Sequence, residues 1–280
     1  MDGAIATVYA HARPPSPAAE PVDPGIGREE LAARWLTLDA INFGSGWFPT
    51  VRKRPGMSGA RSIAAALWER FGTAGPWTAR QLTAIGPETL GPVLGQDPAH
   101  ELISLYAAAL RDLGDRVLDE HGGSFAAVAD AADGSAVSLA RRLGGWGCFA
   151  DRSRYDELEL PFLKRAQIAA ADLHRAGVVA FDDLDRLTMF ADNLVAHVLR
   201  VDGVLAYSAR LLTRIERGEL LEHGSREEVE IRACAVHAVE LLVAAGAGTS
   251  AARLDEALWH RGQLPSYKAL PRHRCRCTAY

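Results

Sequence analysis

The chain has 280 residues, 48% hydrophobic and 24% charged, with 31 Lys and Arg against 35 Asp and Glu for a net charge of −4. That balance excludes global disorder and supplies enough apolar surface for a large core. The shortage of cations argues against sequence-blind binding to long nucleic acid, which rests on neutralising phosphates. A count of 49 alanines against 20 aromatics points to helices rather than sheets.

Residues 1–27 are read as an extended arm, because residues 11–27 hold five of the 14 prolines and show no helical period. From Arg28 to Tyr280 the pattern predicts one all-α globular domain of about ten helices. REELAARWLTLDAIN sets Leu31, Trp35, Leu38 and Ile41 on roughly one face, and GARSIAAALWERFG repeats the pattern with Ile63, Leu67 and Phe71. Thr78 and Gln81 fit a capping box, and AHELISLYAAALRDLGDRVLDEHGG is a longer periodic stretch ending at paired glycines. Short FAAVADAA and SAVSLARRL segments follow, then a loop over 144–159 rich in glycine, aromatics and charge. The remaining segments are LPFLKRAQIAAADLHRAG, FDDLDRLTMF, ADNLVAHVLRVDG, SARLLTRIERGEL, REEVEIRACAVHAVELLVAAG and AARLDEALWHRG, with Ser225 and Glu228 as a second capping box. Val51-Arg52 could be a fragment of strand, but no alternating run of useful length exists, and no fixed-period repeat is visible.

The start, MDGAIATVYAHARPP, lacks the basic and apolar regions of a secretory signal, and the most apolar stretch, 233–248, is too short to span a bilayer. Four cysteines without an evident disulfide framework suit a reducing cytoplasm. His273, Cys275 and Cys277 could be read as metal ligands, but no fourth ligand at zinc-like spacing accompanies them, so no metal or other cofactor is expected.

Phosphate-loop, dinucleotide, HExxH and GxSxG signatures are absent. The chemistry must then sit among polar residues in apolar helical context. In PFLKRAQIAAADL, Lys164, Arg165 and Gln167 cluster at a helix start that already favours an anion, and Lys164 is one of only three lysines; a solvated helix start is the alternative. In LTMFADNLVAHVL, Asp192 is either a helix cap or a partly desolvated carboxylate fit for general-base or ion-stabilising work. In EVEIRACAVHAVELL, Glu230, His237 and Glu240 share one side of the wheel while Arg232 points elsewhere, which is a structural network or a site. INFGSGWF carries Asn42, Phe43, Trp47 and Phe48 on a Gly44/Gly46 loop, and LDEALW pairs Asp255 with Trp259; such aromatics serve either as core or as ligand walls.

Taken in order, LDAINFGSGWF, HGGSFAAV, PFLKRAQIAAADL, LTMFADNLVAHVL, GELLEHGSREEVEIRACAVHAVELL, LDEALW and HRCRCTAY resemble the queuosine salvage family, the queuosine 5′-phosphate N-glycosylases. The resemblance runs from about Trp35 to Tyr280, each motif short and the ordered set specific. Where relatives commonly have Phe-Tyr-Lys-Arg, this chain has Phe162-Leu163-Lys164-Arg165, so no tyrosine hydroxyl is available there.

The resemblance implies a helical fold related to DNA glycosylases and release of queuine, a 7-deazaguanine base, from the nucleoside 5′-monophosphate. It makes Asp192 the catalytic carboxylate. Asn42, Phe43, Trp47, Phe162, Lys164, Arg165, Phe190, Glu230, Asp255, Trp259 and Arg274 would line the substrate site. Asp255 or Glu230 would meet the amine of queuine. Lys164 or Arg165 would hold the phosphate, with the tail of Arg272, Arg274 and Arg276 as the alternative. The implied partners are the small-molecule substrate and its product queuine, with neither a nucleic acid duplex nor a membrane. Two other readings compete: a base-excision DNA glycosylase and a non-catalytic helical binding protein for a modified nucleobase.

Overall fold

Capping chemistry sets most of the helix starts in the computed structural model, which describes residues 25–246 and 248–280. The proline-rich arm, but for its last three residues, lies outside the described residues.

Thirteen α-helices fill the described chain: α1 (Arg28–Ala40), α2 (Gly59–Ala74), α3 (Ala79–Thr83), α4 (Pro87–Val93), α5 (Glu101–His121), α6 (Phe125–Asp130), α7 (Ala136–Leu143), α8 (Lys164–Arg175), α9 (Asn193–Val201), α10 (Ala209–Glu216), α11 (Arg226–Ala244), α12 (Ala251–Gly262) and α13 (Pro265–Lys268). Two small strand pairs accompany them: β1 (Arg152–Tyr155) antiparallel to β2 (Leu158–Pro161), and β3 (Leu220–Leu221) parallel to β4 (Arg274–Cys275). The architecture is all-α. Among the described residues, no helix is long and apolar enough to cross a membrane, and all four cysteines are free thiols.

The chain forms two compact units. The N-terminal unit takes 25–151, 165–184 and 277–280, and the C-terminal unit takes 152–164 and 185–276. In the N-terminal unit, carboxylates from distant segments cap short helices. Glu29 accepts the Phe125 and Ala126 amides at 2.7 and 2.9 Å at the start of α6, and Asp183 accepts the Ala136 amide at 2.6 Å at the start of α7. These bonds satisfy donors that a helix start leaves orphaned. The Thr78–Gln81 capping box forms in both directions.

In the C-terminal unit, α9 packs against α11 and α12. Val195, Val198 and Leu199 of α9 meet Val229, Ala235 and Val239 of α11 and Leu254 and Leu258 of α12 in one buried cluster. Gly262 makes the α9–α12 approach possible, since a Cβ there would come within 2.8 Å of Leu194.

Four sequence expectations are corrected. FDDLDRLTMF contains only a single 3-10 turn, Leu184–Arg186, and then runs extended to Asp192. The aromatic loop over 144–159 contains β1 and the start of β2, joined at Asp156, whose φ of 50° fits a tight hairpin and suits aspartate better than most residues. Val51-Arg52 is not strand. Ser225 does precede α11, but its side chain makes no cap bond, because Glu228 turns to the Gly224 amide and to Arg232.

Candidate active site

Asp192 sits at the end of the extended run before α9, with φ −110° and ψ −176°. Its Oδ1 accepts the Leu194 and Val195 amides at 2.8 and 2.9 Å, so it is the helix cap that the sequence allowed. The cap uses one oxygen only. The half-buried carboxylate therefore has its orientation fixed while Oδ2 takes no part in the cap.

α12 brings Asp255 to the same place. It is 5% exposed, and its Oδ1 accepts the Phe190 amide at 3.1 Å, two residues before Asp192. Burial, reinforced by the charge of Asp192, pushes the Asp255 carboxyl well above the ordinary range, against the opposing pull of the Phe190 amide and Lys164. Neighbouring carboxylates in unlike environments are the usual basis for dividing chemical roles.

Lys164 opens α8, is buried, and contributes its charge to Asp255. The residue before it, Leu163, holds φ at 50°, a left-handed conformation that costs a branched side chain energy. Such strain is kept where surrounding packing imposes it, and here it sets the direction in which Phe162 and Lys164 leave the backbone.

Arg232 of α11, fully buried, underlies this arrangement. Its Nε donates to the Ala191 carbonyl at 3.0 Å and its guanidinium lies 4.0 Å from the Phe162 ring centroid. One cation thus fixes both the peptide leading into Asp192 and an aromatic face. Glu228, four residues earlier and equally buried, lies 3.8 Å from Arg232 Nη1. Burial opposes charge on Glu228, but His223, Arg232 and the Gly224 amide outweigh it and hold its carboxyl below the ordinary range. His273 lies close by, buried and driven down to about 3 chiefly by loss of solvent, so it is neutral. Its carbonyl accepts from Asn193 Nδ2 at 3.1 Å.

The C-terminal unit therefore gathers Phe162, Lys164, Phe190, Asp192 and Asp255. Other candidates fall elsewhere. Glu230 lies on the solvent face of α11, bonded to the Tyr155 hydroxyl and Arg226. Trp259 packs on the core of the same unit and meets His260 edge-on. Arg274 lies on β4 with its guanidinium against Gly218.

Asn42, Phe43, Trp47 and Arg165 belong to the N-terminal unit. Phe43 and Trp47 are 2% and 3% exposed; Trp47 donates to Glu101 at 2.7 Å, and Phe43 meets Tyr106 edge-on. Asn42, half-buried, donates its amide to the Asp39 carbonyl at 3.2 Å. Gly44, at φ 117°, lies so near Leu102 and the Tyr106 hydroxyl that a Cβ would not fit, which explains the glycine in this loop. Arg165 is sealed from solvent, donates to the Ala40 carbonyl at 2.5 Å, and stacks over Phe43 and Phe149 at 4.9 and 5.7 Å.

Two further residues belong here that the sequence pattern does not single out. Arg232 lies off the Glu230, His237, Glu240 stripe, and that stripe faces solvent. Its signal was a Glu228/Arg232 pair at helical spacing on the side that also carries Val229, Ala235 and Val239. Arg272 is the second, one of three arginines in the basic tail, and its charge interaction with Asp192 joins positions too far apart for any local pattern to show.

The fold and this cluster define a helical protein with a paired-carboxylate site flanked by cations and aromatics. The chain belongs to the queuosine salvage protein family, whose model matches residues 24–280. It is 34% identical over 267 residues to a protein of Sphaerobacter thermophilus named queuosine 5′-phosphate N-glycosylase/hydrolase, covering 91% of this chain and 83% of that one. Proteins of the same name from Bos taurus and Mus musculus are 30% and 29% identical, each over 91% of this chain and 83% of their own length.

Proposed function

We propose that this chain is an N-glycosidase that hydrolyses queuosine 5′-monophosphate, releasing queuine and ribose 5-phosphate in the cytoplasm. The observation that carries the reading is Asp192, a carboxylate fixed by two backbone amides and set beside a second, buried carboxyl, in a chain similar along nearly its whole length to proteins named for this reaction.

The chemistry follows from the bond. As the C1′–N bond breaks, its electron pair leaves with the base and positive charge builds on the sugar. A carboxylate held against C1′ stabilises that charge, and no reorganisation is needed because the cap has already fixed it. Water then adds its oxygen to C1′, keeping one proton as the new C1′ hydroxyl while the other ends on the departing base. An ordinary purine is activated by protonation at its seventh ring position; a 7-deaza base has carbon there, which places more of the burden on Asp192. Asp255, whose carboxyl burial and the charge of Asp192 push well above the ordinary range, is the group that the secondary ammonium of queuine would meet. Lys164 sits beside it, and Phe162 and Phe190 supply aromatic surface for the base.

Incubating the protein with queuosine 5′-monophosphate and following free queuine by chromatography tests the reading. Turnover is expected. Tight binding without release would instead make the chain a nucleobase-binding protein, and cleavage confined to a damaged-base duplex would make it a DNA glycosylase.

A further inference from the structure

A substrate with a phosphate at one end needs a cation that is not already committed, and most of the candidate cations are. Arg232 is fully buried on the Ala191 carbonyl and faces Glu228. Lys164 is buried and places its charge on Asp255. Arg274 lies against Gly218 on β4. Arg165 is sealed inside the N-terminal unit on the Ala40 carbonyl.

Arg272 differs from all four. It is half-buried, yet it makes no hydrogen bond or ion pair among the described residues, and its Nε is a buried donor without a partner. A buried donor of a cation left this way is costly, and such an atom calls for an explanation. The backbone on each side of it is pinned. The Pro271 carbonyl accepts from Arg200 Nη2 at 3.0 Å, and the His273 carbonyl accepts from Asn193 Nδ2 at 3.1 Å. Asn193 directly follows Asp192, so the bond that places Arg272 also registers it to the carboxylate. The two side chains feel each other's charge, and among the described residues they form no ion pair. In a nucleoside 5′-phosphate the phosphorus lies several bonds from C1′, so its cation should stand apart from the carboxylate at C1′.

We infer that Arg272 binds the 5′-phosphate of the substrate and determines the preference for nucleotide over nucleoside. The assignment rests on the glycosidase reading above. It gives the guanidinium the acceptor it lacks, and Arg suits phosphate because its planar donors match the oxygens in pairs.

The test compares kcat/KM for queuosine 5′-monophosphate and for queuosine in the wild type, Arg272→Gln and Arg272→Lys. Arg272→Gln should lower the value for the monophosphate roughly ten- to a hundredfold, as expected for loss of a charge-assisted contact, and leave the nucleoside nearly unchanged. Arg272→Lys, which keeps the charge and guards against misfolding of the glutamine variant, should retain part of the preference. A preference that survives in both variants overturns the assignment. So does an equal fall for both substrates, which would make Arg272 a partner of Asp192. Calorimetric titration with inorganic phosphate separates this from failure of the glycosidase reading. If the wild type releases no queuine, the loss of phosphate binding in Arg272→Gln still supports an anion site at Arg272, and undiminished binding removes it.

Discussion

Asp192 uses its two oxygens differently, and that division makes its roles separable by substitution. Asparagine caps a helix about as well as aspartate but carries no charge. Asp192→Asn should therefore keep the melting temperature and the binding of the monophosphate close to wild type while lowering kcat by about 100- to 1,000-fold or more. Asp192→Ala should also lose about 1 kcal/mol of stability with the cap. Near-normal queuine release by the asparagine variant would remove Asp192 from catalysis, and equal melting losses in both variants would mean that the charge, rather than the cap, holds α9. Asp255 has a signature in pH. Its folded-state pKa is raised by burial and by Asp192, so the folded chain holds a proton that the unfolded chain releases near pH 4. The stability this confers is complete below that pH and is lost as pH rises from there through the elevated folded value. Thermal melts of Asp255→Asn across that range should lack the corresponding decline. Parallel curves for the variant and the wild type would show that Asp255 is ionised in the folded protein.

At the scale of elements, α11 fixes the site from beneath through one buried pair. Removing one partner of such a pair strands the other charge, which costs about 3–5 kcal/mol, whereas replacing both by neutral groups of similar size costs far less. Arg232→Met should thus unfold at markedly lower urea than wild type, and adding Glu228→Gln should restore much of the loss. Neither should recover full kcat, because both release the Ala191 carbonyl and the Phe162 ring from the guanidinium. A double variant no more stable than the single one would show that Glu228 does not depend on Arg232. The same helix shows what the sequence could and could not reveal. Its existence and limits followed from apolar periodicity and flanking polar residues. Its face did not, because Glu230, His237 and Glu240 form as regular a stripe as Glu228 and Arg232, and only packing against α9 decides which turns inward. The β1–β2 hairpin escaped notice because its strands are four residues each and half of the pairing lies in polar sequence. Asp192 and Lys164 are legible because each is a charged residue heading an apolar run, and each stands at a helix start. The meeting of Asp192 with Asp255 was not, since it depends on how α12 returns to the start of α9 across more than sixty intervening positions.

At the scale of the whole molecule, charge separates the nucleotide reading from the duplex reading. Non-specific hold on DNA comes from cations that displace condensed counterions, and each phosphate neutralised steepens the dependence on salt. This chain has four more acidic than basic side chains. Several of its arginines are already engaged: Arg28 with Asp130, Arg54 with Glu69, Arg116 with Glu120, and Arg214 with Glu227. Others are spent in the interior, Arg165 on Ala40 and Arg232 on Ala191. A labelled duplex in an anisotropy titration should therefore bind weakly at low salt and show little further change as salt is raised. Hydrolysis of the monophosphate should respond modestly to salt, since one half-buried cation on the phosphate is screened less than exposed charges are. Tight duplex binding with a steep salt slope would point instead to a phosphate-tracking surface and a glycosylase that acts on nucleic acid.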